Sequence, residues 1–235
     1  CTGVVIAASL AAVAAFAGAE REVPASTLVT RGAVSFVLGD EQPFTGLAVS
    51  LHGTGRRERE VRYTAGKAVS YRAWYPEGRL QEEGGLGPHG LDGTVRAFHP
   101  GGARAFEAVY RDGSYDGHVA AWSRAGTPAF DCTYRAGRPH GTCREWHDNG
   151  SPRSEAVFSD GLHDGPFKIW ESSGSLRLVG SARAGRPEGA WEKRQPGGAP
   201  WLAGAWREGR LDGVWREWDE RGRLVEEAEY RLGDA

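Results

Sequence analysis

Along most of this chain apolar and polar residues alternate in short runs broken by glycine. Phe106, Ala108 and Tyr110 stand two apart, as do Phe130, Cys132 and Tyr134, with polar residues common between such positions. A period of two suits a half-buried strand, and after residue 20 no segment sustains the 3.6 period of a helix. The glycines set the larger order. Gly93, Gly117, Gly141, Gly165, Gly189 and Gly213 recur every 24 residues. Gly78, Gly102, Gly126, Gly150, Gly174, Gly198 and Gly222 keep the same step, and so do Gly113, Gly137, Gly161, Gly185, Gly209 and Gly233. Gly46, Gly55 and Gly66 mark an earlier copy, offset by a one-residue deletion near Val69, giving about eight copies between residues 46 and 235. In-phase series of this kind are the signature of a repeat architecture.

Each copy is counted here from its first glycine, so that Gly93 is position 1. Asn149-Gly150, Gly101-Gly102 and Arg221-Gly222 fall where a two-residue hairpin turn needs positive φ. Asp112-Gly113, Asp160-Gly161 and Glu208-Gly209 mark a second turn. Each copy therefore reads as two short antiparallel strands. The fold class is all-β, an elongated antiparallel β-meander solenoid of about eight 24-residue hairpin repeats.

Residue volumes predict the register. Centring the second turn between positions 21 and 22 sets position 16 opposite position 3 of the next copy. The implied pairs are Gly84/Val95, Ala108/Val119, Cys132/Cys143, Ala156/Phe167, Gly180/Trp191 and Gly204/Trp215. The bulkiest ring faces glycine twice, as close packing of opposed positions requires. The same register pairs Cys132 with Cys143, within disulfide reach for opposed strand residues. Two buried small thiols would fill the same volume.

Residues 4 to 19 are uncharged and small or apolar, and Ala17-Gly18-Ala19 before Glu20 has the form of a signal-peptidase site. Sixteen such residues fall short of the roughly 20 a spanning helix needs. The predicted division is a signal peptide truncated at its start over 1–19, a linker and strand pair over 20–42, and the repeat array over 43–235. A lipidated Cys1 or a retained anchor is the alternative. Export to a periplasmic, envelope-associated or secreted location follows, in keeping with a cystine.

Composition narrows the function classes. Lys+Arg 29 against Asp+Glu 31 gives a net charge of -2, so no global basic field argues for nucleic acid. Three cysteines are too few for a four-cysteine zinc site.

The repeat resembles that of MORN-repeat-variant proteins. Pro43-Phe44-Thr45-Gly46 is similar to the opening of such arrays. Gly141 to Gly150, with Trp146 and Asn149, resembles one half of the unit, and Phe158 to Gly165, with Asp160-Gly161 and Asp164-Gly165, the other. Leu28 to Leu38 resembles the short strand pair that precedes such arrays. Arg194 in place of an aromatic, Val69 in place of glycine and the stretch Gly84-Gly85-Leu86 depart from the pattern. The resemblance implies a twisted sheet serving as a scaffold for protein or membrane contacts. It also implies phospholipid binding for eukaryotic relatives and an antitoxin label for bacterial ones, which sits badly with export.

Position 6 carries Trp74, Phe98, Trp122, Trp146, Trp170 and Trp218. These are the candidate binding residues, either a stacking platform for sugars or a protein-contact strip; the other reading is repeat core. Positions 3 and 6 have opposite parity, so either a bulge brings both inward or both faces are partly apolar. Asp116, His140, Asp164, Glu188 and Asp212 form a row along one edge, read as turn-closing side chains or as a metal or basic-ligand row. No nucleophile elbow or phosphate loop occurs. The expectation is a non-enzymatic scaffold without cofactor, metal or catalytic residues, whose partner is a protein or cell-envelope component. A carbohydrate- or cell-wall-binding module using exposed tryptophans is the alternative, with membrane or glycan contact as the corresponding partner.

Overall fold

The computed structural model describes residues 20–232; the predicted signal peptide lies outside them. One sheet of nineteen strands holds the array, and a separate hairpin pairs Leu28–Arg31 with Val34–Val37. From Gly46–Leu51 to Leu224–Tyr230 the pairings are antiparallel and sequential. Arg138–Pro139 and Arg186–Pro187 are two-residue strands just before the glycine bends at Gly141 and Gly189. The sheet is a meander and does not close into a barrel.

The N-terminal edge is covered. Glu22–Pro24 pairs in parallel with Leu47–Val49, so the ladder of the first repeat strand is not left open. Phe44 is 1% exposed beneath the small hairpin, where Ser35 N–H donates to the Gly66 carbonyl at 2.8 Å and Phe44 N–H to the Ser35 carbonyl at 2.9 Å.

A single row of directly opposed residues runs through all the repeats. It starts Ala48, Val61, Tyr71, Gly84, Val95, Ala108, Val119, Cys132. Across the next turn it continues Cys143, Ala156, Phe167, Gly180, and then Trp191, Gly204, Trp215, Ala228. The predicted pairs Gly84/Val95, Ala108/Val119 and Ala156/Phe167 are register partners. At Gly180 a Cβ would stand 2.8 Å from the Trp191 indole and 2.9 Å from Phe167, and at Gly204 it would press into the Trp215 indole. Large therefore lies beside small from strand to strand. Gly84-Gly85-Leu86, which departs from the repeat pattern, obeys the same rule, because a Cβ on Gly84 would meet Val95 at 2.8 Å and Tyr71 at 3.0 Å.

Adjacent positions point to opposite faces of a strand, and the row next to this one is charged apart from Val49, Ala120, Val179 and Ala203. Glu60, Arg72, Glu83, Arg96 and Glu107 are successive partners, as are Asp131, Arg144, Glu155 and Lys168. Ion pairs follow: Arg96–Glu107, Arg144–Glu155 and Arg216–Glu227 each close at 2.7 Å. At half-exposed sites each contributes at most about 1 kcal/mol. Their larger effect is to make this face hydrophilic and self-neutralising.

The two turns differ from one another. Asp112 and Gly113 both have positive φ, 48° and 78°, which defines the two-residue turn predicted there. The other turn does not match its prediction. Only Gly102, Gly150 and Gly222 have positive φ, while Gly101, Asn149 and Arg221 do not. His99 N–H bonds the Ala103 carbonyl and Gly102 N–H the His99 carbonyl, so the loop is one residue longer and needs a single left-handed residue. Bulges also intervene. The register slips between Ala121 and Trp122, Glu145 and Trp146, and Ile169 and Trp170, just before position 6 each time. A second slip lies between Tyr115 and Val119, where a Cβ on Gly117 would meet the Val109 side chain at 2.9 Å. The deletion near Val69 falls in this second bulge, so Val61 still meets Tyr71.

Cys132 and Cys143 sit within the buried row with their Cα atoms 4.2 Å apart, at disulfide distance. Their bridge closes a short loop, for which chain entropy gives roughly 2–3 kcal/mol. Replacing both by alanine is expected to lower unfolding stability by about that amount, and intact mass without reductant to fall about 2 Da below the dithiol value. Two free thiols in the native oxidised protein, or a denaturation midpoint insensitive to reductant, contradicts the bridge.

Candidate binding face

The apolar face is built from three rows: the large-small row, the one two residues to its side, and the aromatic ends of the strands near the second turn. The rings there touch in sequence. Phe158 meets His163 at 4.2 Å between centroids, Phe167 meets Trp191 at 4.8 Å, Trp191 meets Trp206 at 6.0 Å, and Trp206 meets Trp215 at 5.4 Å. Tyr110, Tyr115 and Tyr134 form a similar cluster upstream, with spacings of 4.8 and 5.1 Å. These contacts are tilted or edge-on, as ring quadrupoles favour.

Two cavities open on this face. Cys132, Cys143 and Ala156 are three small residues in succession, between Val119 and Phe167, and the row sinks there. The result is a cavity of about 500 Å³ floored by the cystine and walled by Phe130, Tyr134, Phe158 and Phe167. Glu145 and Arg153, 3.9 Å apart, stand on its rim. The other cavity, about 290 Å³, lies among Trp206, Trp215 and Tyr230 in the last copies. Apolar walls with a few polar rim groups suit non-covalent binding.

The predicted binding residues lie elsewhere. Trp74, Phe98, Trp122, Trp146, Trp170 and Trp218 are all partly exposed, neither buried as core nor standing free. Among the described residues none of the six takes part in a ring–ring contact. Rings at one position in successive copies are two strands apart, roughly 9–10 Å, too far to stack. Their backbones are engaged instead. His52, His99 and His147 donate from Nε2 to the carbonyls of Trp74, Trp122 and Trp170 at 2.9, 2.9 and 3.0 Å, and the Tyr75 hydroxyl donates to Phe98 at 2.8 Å. Four copies are thus tied to the next through position 7, whereas Ser123 and Glu171 at that position bond within their own copies. Sequence reasoning missed this tie, although His99 and His147 stand two periods apart.

The acidic row along the other edge closes turns across copies. Asp116, Asp164 and Glu188 accept from the backbone N–H of Ala136, Ala184 and Glu208 at 3.3, 3.2 and 2.9 Å. Those three donors are the left-handed residues of the following turns. His140 Nδ1 lies 3.6 Å from Asp160, beyond hydrogen-bond reach. Among the described residues no three of His, Cys, Asp and Glu gather as a metal site, and no helix is long and apolar enough to cross a membrane.

A family model described as MORN repeat variant matches residues 139–160 and 211–231, segments that begin three 24-residue periods apart. No curated protein matches the chain. Among solved structures, the crystal structure of TcdB2-TccC3-Cdc42 aligns with 81% of this chain at 8% identity and a TM-score of 0.19. The chain spans 14% of that chain's length.

Burial raises the pKa of Tyr71, Tyr110 and Tyr134 above the ordinary tyrosine value of 10.0, and the hydrogen bond from Tyr71 to Glu82 raises Tyr71 further. Because the neutral phenol is favoured in the fold, this stabilisation is intact below pH 10 and is lost as pH rises through the raised values. Unfolding stability is therefore expected to hold up to about pH 10 and to decline above it. Tyr71→Phe, Tyr110→Phe and Tyr134→Phe together should flatten that decline. An unchanged alkaline slope in the triple variant contradicts the assignment.

Proposed function

We propose that this chain is an exported, non-enzymatic repeat scaffold that binds a protein or cell-envelope component on its aromatic face. The observation that carries this reading is the asymmetry of the sheet. One face is an array of touching rings with two apolar-walled cavities, while the other carries paired charges, and its cavity of about 390 Å³ is lined by Glu60, Arg72, Glu83 and Arg96. Aromatic side chains lose little entropy on binding and give large contact area, the profile of interface hot spots. Both turn edges are already occupied by hydrogen bonds between copies. The match to a repeat used for protein and membrane contacts supports the same reading. The adjacent cysteines support an oxidising compartment.

A second reading keeps the position-6 rings. All six are partly exposed, and the Arg104 guanidinium lies 5.5 Å over the Trp122 ring, so that ring presents a face to a neighbour. On this reading the chain is a carbohydrate- or cell-wall-binding module.

Capture from envelope extracts separates the two. Binding is expected to fall at least tenfold in Phe130→Ala/Phe158→Ala, to survive Arg144→Ala/Glu155→Ala, and to be indifferent to added oligosaccharides. Binding lost in Trp146→Ala or Trp170→Ala with folding intact, and competed by sugar, would establish the glycan module instead.

A further inference from the structure

The last hairpin opposes like charges. Glu217 and Glu226 are direct register partners across the strands, an arrangement that destabilises a sheet. Both line the cavity of about 290 Å³ whose walls are Trp206, Trp215 and Tyr230. Among the described residues neither carboxylate has an ion pair. The one cation in the lining, Arg216, is held by Glu227 at 2.7 Å on the charged face.

The N-terminal copies show the same chemistry with its cation present. On the same face, Tyr71 donates to Glu82 at 2.5 Å, and the Arg59 guanidinium lies 4.9 Å over the Tyr71 ring. Aromatic ring, carboxylate and cation complete one another there. In the last copies the rings and two carboxylates are assembled, and among the described residues no cation pairs with either; Lys193, on the same row two strands away, lies instead over the Trp201 ring at 3.9 Å. Cation–π attraction and two carboxylates act together on a basic group.

One wall also carries an unsatisfied donor. Trp191 and Trp215 donate their indole N–H to the carbonyls of Ser181 and Ala205, each at 2.9 Å, whereas the buried Nε1 of Trp206 has no acceptor. The Trp206 ring is therefore not tied to backbone, and its free donor suits a ligand that carries a carbonyl as well as a charge. A cavity of this size is at the small end of ligand sites, suited to one side chain.

We infer that this cavity takes the basic side chain of a lysine or arginine in a partner protein, with Glu217 and Glu226 sharing the charge and the indoles enclosing it. The inference rests on the aromatic face being the binding face and adds the chemistry of one contact.

The test is an NMR titration of the full chain, following the indole ¹H–¹⁵N signals of Trp206 and Trp215. The probes are the capped tripeptide acetyl-Gly-Lys-Gly-amide, its arginine and Nε-acetyl-lysine counterparts, and tetramethylammonium chloride. Saturable shifts with the lysine or arginine peptide, at least tenfold weaker in Glu217→Gln/Glu226→Gln and absent with the acetylated peptide, support the proposal. The double variant removes like-charge opposition without changing shape, so its thermal midpoint should not fall, and a folded spectrum is its control. No saturable shift with either basic peptide overturns the proposal, as does equal affinity for the acetylated peptide or the double variant. Tetramethylammonium binding as tightly as the peptides overturns the assignment to a protein side chain. Loss of these shifts while Phe130→Ala/Phe158→Ala still abolishes capture would remove this contact and leave the binding face standing.

Discussion

Beyond the small hairpin over Phe44, the described residues put no second layer on the sheet, which must bury its aromatic rings against itself. In most β-proteins an apolar face is covered by another sheet or by helices. Here each ring lies sideways over the strand next to it, and that strand must offer space. The row from Ala48 to Ala228 meets this demand by putting Gly84 beside Tyr71, Gly180 beside Phe167 and Trp191, and Gly204 beside Trp215. Where rings are absent the row sinks over Cys132, Cys143 and Ala156, and two cysteines at disulfide distance stand in place of ring packing. The glycines within the strands are thus packing residues, whereas those at the turns answer to backbone geometry.

Nearest-neighbour contacts carry the rest of the architecture, as in other one-dimensional repeats. His99 reaches the carbonyl of Trp122 on one edge, and Asp116 reaches the N–H of Ala136 on the other. Each bond joins consecutive copies, so the lateral edges of the sheet are laced by side chains while its faces remain available. The two faces then divide the labour. Paired Arg and Glu make one hydrophilic, and touching rings around apolar-walled cavities make up the other.

Much of this was legible in residue order. Volume matching alone pairs Ala156 with Phe167 and Gly204 with Trp215, because a one-residue slip would turn every ring to the charged face. The bulges were harder to read. They leave parity unresolved at position 6, and the sequence names Trp122 and Trp146 as a ladder when the touching rings are Phe167, Trp191, Trp206 and Trp215. Contact between rings depends on which positions meet across a turn, and that geometry is set by two extra residues in a bulge. The longer first turn escaped for a related reason: Asn149-Gly150 suits both loop lengths, and only the hydrogen bonds decide.

The central claim is that stability follows the pairing of ring size with neighbour size along one row. A double-mutant cycle on Gly204→Ala and Trp215→Phe measures it directly, since the new combination copies the existing Ala156/Phe167 pair. Each single change should destabilise the protein, and the double should be less destabilised than the sum by about 0.5–3 kcal/mol. Additivity to within about 0.5 kcal/mol would contradict the account.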